Sequence, residues 1–182
     1  KAGIIYFLVA VVLLLVLAKP STIIQEGERG ILSTNGKYQD QALLPGLHFI
    51  LPVIQKVYVV DTKVRIINYA SRVEASAGMS SGIGSKPAIT VLDKRGLPVT
   101  IELTVQYRLN SQFAAQTISN WGFSWEEKII TPVVRDVVRS VVGKYDAESL
   151  PQLRSQIAQE IDRDVRLSVS GLENTPADLQ SV

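Results

Sequence analysis

The chain has 182 residues, with 19 Lys and Arg against 17 Asp and Glu, a net charge of +2, one His and no Cys. An apolar fraction of 46% with so small a net charge excludes intrinsic disorder, and so even a charge balance excludes a surface built mainly to neutralise nucleic-acid phosphates. Without Cys there is no disulfide framework, thiolate metal site or thiol nucleophile, and a single His makes a poor basis for a metal centre or a Ser-His-Asp triad, so neither an enzyme nor a cofactor or metal site is expected.

The apolar surplus sits at one end. From Ala2 to Ala18 no residue is charged; as a helix the run is about 25 Å long, against a hydrocarbon core of roughly 30 Å. It spans if the bilayer thins or if Lys1 and Lys19 snorkel outward. The reading is a single-pass transmembrane helix over residues 1–19, anchored by Ile4, Ile5, Phe7, Leu8, Val11, Val12, Leu13, Leu14, Leu15 and Leu17. A cleavable signal peptide ending at Val16-Leu17-Ala18 and a half-inserted hairpin are the other readings of the same run. Lys19, Arg29 and Lys37 follow it and only Lys1 precedes it, a count that by itself favours a cytoplasmic domain.

Residues 20–109 read as β-structure. Short β-prone runs at 21–25 and 29–34 are separated by Gly27, and Asn35-Gly36 and Pro45-Gly46 signal turns. Two further strands are expected at 53–60 and 62–69. The clearest runs from Val99 to Leu109: Val99, Ile101, Leu103, Val105, Tyr107 and Leu109 point one way, and Thr100, Glu102, Thr104, Gln106 and Arg108 the other. Its hairpin partner is Ala88–Leu92, joined through Asp93-Lys94-Arg95-Gly96.

From Ser111 the period becomes helical, and residues 110–171 form a helical second part. Ser124-Trp125-Glu126-Glu127 is a capping-box pattern opening a short helix. Thr131-Pro132 reads as a restart, with Thr as cap and Pro in the first turn. Val133, Val134, Val137, Val138, Val141 and Val142 make its apolar stripe, with Arg135, Asp136 and Arg139 opposite. A last helix runs from about Pro151 to Val169 with Leu153, Ile157, Ile161 and Val165 at four-residue spacing. So narrow a stripe packs on one neighbour, either this domain or another copy. Residues 172–182 show no periodicity and read as a tail.

Other motifs have ordinary explanations. The Gly/Ser stretch Ala75–Ser85 lacks the phosphate-loop order, since Gly84-Ser85-Lys86 reverses Ser and Lys, and no helix follows Pro87; it reads as a loop. His48 reads as a packed or hydrogen-bonded structural residue. Glu26 and Glu28 read as juxtamembrane turn residues, with Gly27 and Gly30 bending the chain. Trp121, Phe123 and Trp125 read as core or inter-subunit packing, with an interfacial membrane contact as the alternative.

In order along the chain, Glu26-Gly27-Glu28-Arg29-Gly30, Asn35-Gly36-Lys37, Leu44-Pro45-Gly46-Leu47-His48-Phe49-Ile50-Leu51-Pro52, Asp61-Thr62-Lys63-Val64-Arg65, the strand at 99–109, Ile130–Val142 and Tyr145-Asp146-Ala147-Glu148-Ser149-Leu150 are similar to the SPFH (band 7) family of stomatins, prohibitins, flotillins and the bacterial HflK/HflC pair. Each piece is a common strand, turn or cap; their order carries the resemblance, from about Ile23 to Gly171, nearest the prohibitin-like and HflC-like branches. The resemblance implies an α+β fold: a transmembrane helix, an SPFH domain with antiparallel-rich β-structure over 20–109 and helices over 110–171, and at 172–182 a tail or the start of a further C-terminal region. Family members continue into a long Ala/Glu-rich coiled coil, and no such run occurs before Val182.

The function implied is a membrane-anchored scaffold, not an enzyme. Its copies, alone or with a sister SPFH chain, assemble into a large ring or cage that organises membrane lipid and regulates a membrane-bound FtsH-type AAA protease. Nucleic acid is not an expected partner. The alternatives are a solitary lipid- or ligand-binding membrane module and, least favoured because no catalytic motif is present, a membrane hydrolase subunit. Residues expected at copy–copy contacts are Arg135, Arg139, Leu153, Ile157, Ile161 and Val165. The HflC-like and prohibitin-like branches place the domain on the non-cytoplasmic side, at the inner or plasma membrane if the source is bacterial; stomatin-like relatives place it inside, as the Lys/Arg count does.

Overall fold

The computed structural model describes residues 2–17, 19–71, 83–172 and 174–182. Helix α1 (Ala2–Leu17) is 16 uncharged residues with no polar face, about 24 Å at 1.5 Å per residue. Among the described residues no helix is long and apolar enough to cross a membrane. The spanning helix expected over 1–19 is therefore corrected to a shorter apolar helix; Lys1 and Ala18 lie outside the described residues.

After α1 the chain builds small sheets. Strand β1 (Ser21–Ile24) turns through Gly27, at φ +83°, into β2 (Glu28–Thr34). Asn35 and Gly36, at φ +51° and +83°, then make the two-residue hairpin turn into β3 (Lys37–Tyr38), because this tight turn needs positive φ at both central residues. Strand β4 (Gly46–Phe49) returns to pair with β1, and β5 (Gln55–Asp61) pairs with the other edge of β2. Ile31, Leu32 and Ser33 are all buried, as befits a central strand covered on both faces.

A four-stranded sheet joins the two ends of the domain in the order β11 (Ala177–Ser181), β10 (Leu103–Leu109), β6 (Arg65–Ala70), β7 (Ile83–Pro87). Strands β6 and β7 are parallel and the other pairs antiparallel. A separate hairpin pairs β8 (Ile89–Leu92) with β9 (Pro98–Ile101) around Gly96, at φ +82°. Helices α2 (Ala114–Trp121), α3 (Trp125–Val142) and α4 (Arg154–Ser170) cover these strands. Helix α2 meets β2 and α3; α3 lies on β8 and α4; α4 lies on β11. One core results, centred on Tyr69, Val105, Tyr107, Ile130, Val134, Val138 and Val165.

Several sequence expectations change. The strand expected at 99–109 keeps its alternation but breaks at Glu102, because β9 pairs with β8 while β10 pairs with β6 and β11. The two helices expected around Thr131-Pro132 are one, with Pro132 inside α3. Pro132 cannot donate to the Lys128 carbonyl, a loss of about 3 kcal/mol in an isolated helix; burial of Trp125, Ile129 and Ile130 before it and of five valines after it outweighs that loss. Thr131 does not cap; it is buried and its hydroxyl accepts a 3.5 Å bond from Tyr69. Ser124 stands at the helix start without a side-chain capping bond. The acidic residues of the capping pattern pair instead with cations from the sheet, Glu126 with Arg65 and Glu127 with Lys86 at 2.7 Å.

The tail is not a tail. Ala177 and Leu179 enter the core from β11, with Asp178 and Gln180 on the other face. The Arg166 guanidinium holds the strand by donating to the Leu179 and Gln180 carbonyls at 2.6 and 2.8 Å, itself oriented by Asp162. Of the expected Gly/Ser loop, Ile83, Gly84 and Ser85 belong to β7; residues 75–82 lie outside the described residues.

Candidate membrane-facing surface

The two-stranded ribbon of β1 and β4 presents an apolar face that nothing among the described residues covers. Its register pairs Ser21 with Phe49, Thr22 with His48, Ile23 with Leu47 and Ile24 with Gly46. Residues directly opposite in an antiparallel pair share a face, and alternate residues along a strand do too. One face therefore carries Ser21, Ile23, Leu47 and Phe49, and the three apolar side chains are 71%, 57% and 78% exposed. The turn that follows continues it: Leu51 and Val53 are 61% and 93% exposed.

The opposite face fixes the ribbon to the domain. Ile24 is buried and lies so close to Gly30 of β2 that a Cβ there would stand 2.4 Å from Ile24 Cδ1 and 3.1 Å from Val57 Cγ1. Gly30 is thus required for space and not for a bend, which corrects the sequence reading; Gly27 makes the bend. Its carbonyl also accepts from the Thr62 amide and hydroxyl, both at 2.9 Å. His48 has the expected structural role, with Nε2 donating to the Leu44 carbonyl at 2.7 Å.

Local chemistry holds the exposed turn in place. The Gln55 side chain accepts from the Leu51 amide at 2.9 Å, and the Leu51 carbonyl accepts from the amides of Ile54 and Gln55. The Ile50 amide donates to the Pro20 carbonyl at 2.7 Å, which ties the far end of β4 to the segment leaving α1. Apolar helix and apolar ribbon are therefore separated by only a few residues of chain. Together they form an apolar exposure of the kind that marks an interaction surface rather than scattered surface leucines.

In α1, Ile4, Ile5, Phe7, Leu8, Val11, Val12, Leu13, Leu14 and Leu17 are exposed. Of the expected copy–copy residues, Arg135 and Arg139 lie exposed on α3, Arg139 beside Asp136 at 3.4 Å, and Leu153 is half-buried at the start of α4. Ile157, Ile161 and Val165 are in the core, because α3 and β11 take up the apolar stripe of α4; they are not available to a second copy. The aromatic trio divides. Trp125 is buried edge-on to Tyr107 at 5.8 Å, Phe123 is half-exposed against Tyr58 and Tyr38 at 5.3 and 6.5 Å, and Trp121 is half-buried.

Among the described residues there is no cluster of His, Asp and Glu able to hold a metal ion. The perturbed ionisable groups are structural. Tyr107 is pushed well above the usual tyrosine range by burial and then by the neighbouring Glu126 carboxylate. Asp93 is lowered, first by the Leu97 amide, because its carboxylate accepts from the backbone of Leu97, Arg95 and Ala147.

The SPFH domain / Band 7 family matches residues 22–177. Prohibitin-2 of Mus musculus is 29% identical over 144 residues, which are 78% of this chain and 42% of that protein. Protein HflK of Treponema pallidum is 29% identical over 129 residues, 70% of this chain and 37% of its own length. Prohibitin-1 of Schizosaccharomyces pombe is 25% identical over 140 residues, 76% of this chain and 43% of its own. The chain thus spans about two fifths of the length of these relatives. A β-rich first part, a helical second part and the ordered motifs along them agree with this match, and the chain belongs to the SPFH domain / Band 7 family.

Proposed function

We propose that this chain is the membrane-bound part of a scaffold whose copies assemble laterally into a ring or cage, organise the enclosed lipid and regulate a membrane-bound FtsH-type AAA protease. The observation that carries the reading is the uncovered face of the β1–β4 ribbon, with Ile23, Leu47 and Phe49 exposed a few residues after an uncharged helix. Apolar surface of this kind is stable in water only when something apolar covers it. Helix α1 inserts into the hydrocarbon, and the ribbon lies against the same bilayer.

Family membership supports the scaffold part of the reading. One short helix is a modest anchor, but many copies held in a ring bind by avidity and do not leave singly. Lateral contacts of this kind are heterologous and close into a ring when the rotation between copies permits. Arg135 and Arg139, on the outer face of α3, are the proposed polar contacts between copies.

The deciding experiment is the mass of the particle extracted from membranes in mild detergent, followed by reconstitution with an FtsH-type protease. A large uniform assembly that alters proteolysis supports the proposal. A small species that leaves proteolysis unchanged rejects it in favour of a solitary membrane module.

A further inference from the structure

We infer that neighbouring copies join through the edges of the β1–β4 ribbon: the outer edge of β4 in one copy pairs, antiparallel, with the outer edge of β1 in the next. The inference rests on the lateral assembly of the proposed function and supplies a backbone contact for it.

The register of the ribbon decides which backbone groups point outward. In an antiparallel pair, opposed residues that exchange hydrogen bonds alternate with opposed residues that do not. The Ile50 amide donates to the Pro20 carbonyl at 2.7 Å, so Thr22 with His48 and Ile24 with Gly46 are the bonded pairs of the register. Ser21 and Ile23 therefore direct their amides and carbonyls away from β4, and Leu47 and Phe49 direct theirs away from β1. Among the described residues the ribbon is a sheet of two strands, with no third strand on either side.

Other sheet edges are guarded, and these are not. Charged side chains, proline and short length blunt an edge strand. Strand β5 carries Lys56 and ends at Asp61, β7 ends in Lys86-Pro87, β9 opens with Pro98, and β3 is two residues long. On β11 the Arg166 guanidinium occupies the Leu179 and Gln180 carbonyls. The ribbon strands read Ser-Thr-Ile-Ile and Gly-Leu-His-Phe, with no Lys, Arg, Asp, Glu or Pro. Ile23, Leu47 and Phe49 also carry the exposed apolar face. Away from water, unpaired amides and carbonyls are costly, which is why open sheet edges are absent from hydrocarbon. Pairing with another strand removes that cost and leaves the apolar side chains facing the lipid.

A second copy supplies that strand with matching geometry. In a large ring, adjacent copies differ by a small rotation about the membrane normal and keep their strand directions. Strand β4 then meets the next β1 antiparallel, as it meets its own. In the register that keeps both pairs, Leu47 faces Ile23 of the next copy and Phe49 faces its Ser21, each pair exchanging both of its N–H···O bonds. Every copy offers one edge of each kind, the condition for a head-to-tail contact that repeats until it closes.

The chain has no Cys, so each introduced thiol is unique. Chains carrying Ile23→Cys and chains carrying Leu47→Cys are co-expressed, and the membranes are oxidised with copper phenanthroline before extraction. Disulfide-linked dimers from the mixture, and none from either variant alone, are expected. Separate chains are needed because positions 23 and 47 also face each other within one copy. Ile23→Pro removes an outward donor but no bond of the ribbon's own ladder, and should shrink the detergent-extracted particle several-fold. Thermal melting checks that this variant is folded; the cross-link decides the matter if it is not. A large native particle without mixed-chain dimers would overturn the edge pairing and leave lateral assembly standing. Dimers from either variant alone would mean that like edges meet, which would also overturn it. A small native particle would reject lateral assembly and the edge pairing together.

Discussion

The carboxylate of Asp93 accepts a hydrogen bond from the Ala147 amide at 2.9 Å across 54 positions of sequence. Its other oxygen accepts from the amides of Arg95 and Leu97 at 2.8 and 2.7 Å, so one buried side chain closes the β8–β9 hairpin and fastens it to the α3–α4 connection. Arg95 completes the joint through Asp146 and Glu148 at 3.4 and 3.1 Å. Replacing Asp93 by Ala leaves three backbone donors without their partner and should lower the melting temperature by several degrees.

The same carboxylate predicts an acid dependence. Its native pKa lies below the usual carboxylate value, so its stabilisation is complete above the unfolded value near 4 and is lost as pH falls through the lower native value. Melting temperatures measured from pH 6 downward should therefore fall more steeply for the native chain than for Asp93→Asn. Equal slopes would show that the carboxylate charge contributes nothing to the joint.

At alkaline pH the sign reverses. Burial holds Tyr69 and Tyr107 protonated above the usual tyrosine range, so their stabilisation persists below about pH 10 and is lost as pH rises through the raised native values. Ultraviolet titration should show these phenols ionising only with unfolding. Tyr107→Phe should remove part of that late step. A phenolate signal for Tyr107 in the folded protein would contradict the burial.

Ribbon and domain depend on the missing side chain of Gly30. Gly30→Ala sets a methyl group 2.4 Å from Ile24 Cδ1, an overlap that costs about 1–3 kcal/mol in a packed interior. Ile24→Ala in the same chain should restore part of the loss, a non-additivity visible in a double-mutant cycle by chemical denaturation. Strict additivity would mean that the ribbon does not rest on Gly30.

Phe49→Asp with Leu47→Asp removes two exposed apolar groups worth roughly 1.5–3 kcal/mol each when buried. If the ribbon face lies in lipid, flotation with liposomes should weaken by about a hundredfold or more. The melting temperature should hardly move, because neither side chain is in the core. Unchanged flotation would leave α1 as the sole anchor.

Two helix faces separate folding from assembly. Val165 is fully buried, so Val165→Asp should cost several kcal/mol and give little folded protein. Arg135→Glu with Arg139→Glu should keep the native melting temperature and reduce the size of the detergent-extracted particle. Full-size particles from that variant would remove this face from the copy–copy contact.

Local chemistry is written directly in the chain. Asn35-Gly36 turns because both residues tolerate positive φ, the alternation from Val99 to Leu109 buries one face, and the valine stripe at 133–142 makes one side of a helix apolar. These signals are short-range, and the family motifs are strung along them in order. Whether an apolar stripe meets its own domain or another copy is a long-range matter: Ile157, Ile161 and Val165 are buried because α4 packs on α3 and on β11, a five-residue strand too short to show a period. The break at Glu102 arises from competition between β8 and β6 for one strand. Pro132 stays helical because the buried residues on both sides of it outweigh one lost hydrogen bond. The apolar face of Ile23, Leu47 and Phe49 follows from the β1–β4 register, and neither run of sequence specifies that register alone. Sequence near a residue sets its backbone preference, and what then covers its side chain depends on segments far along the chain.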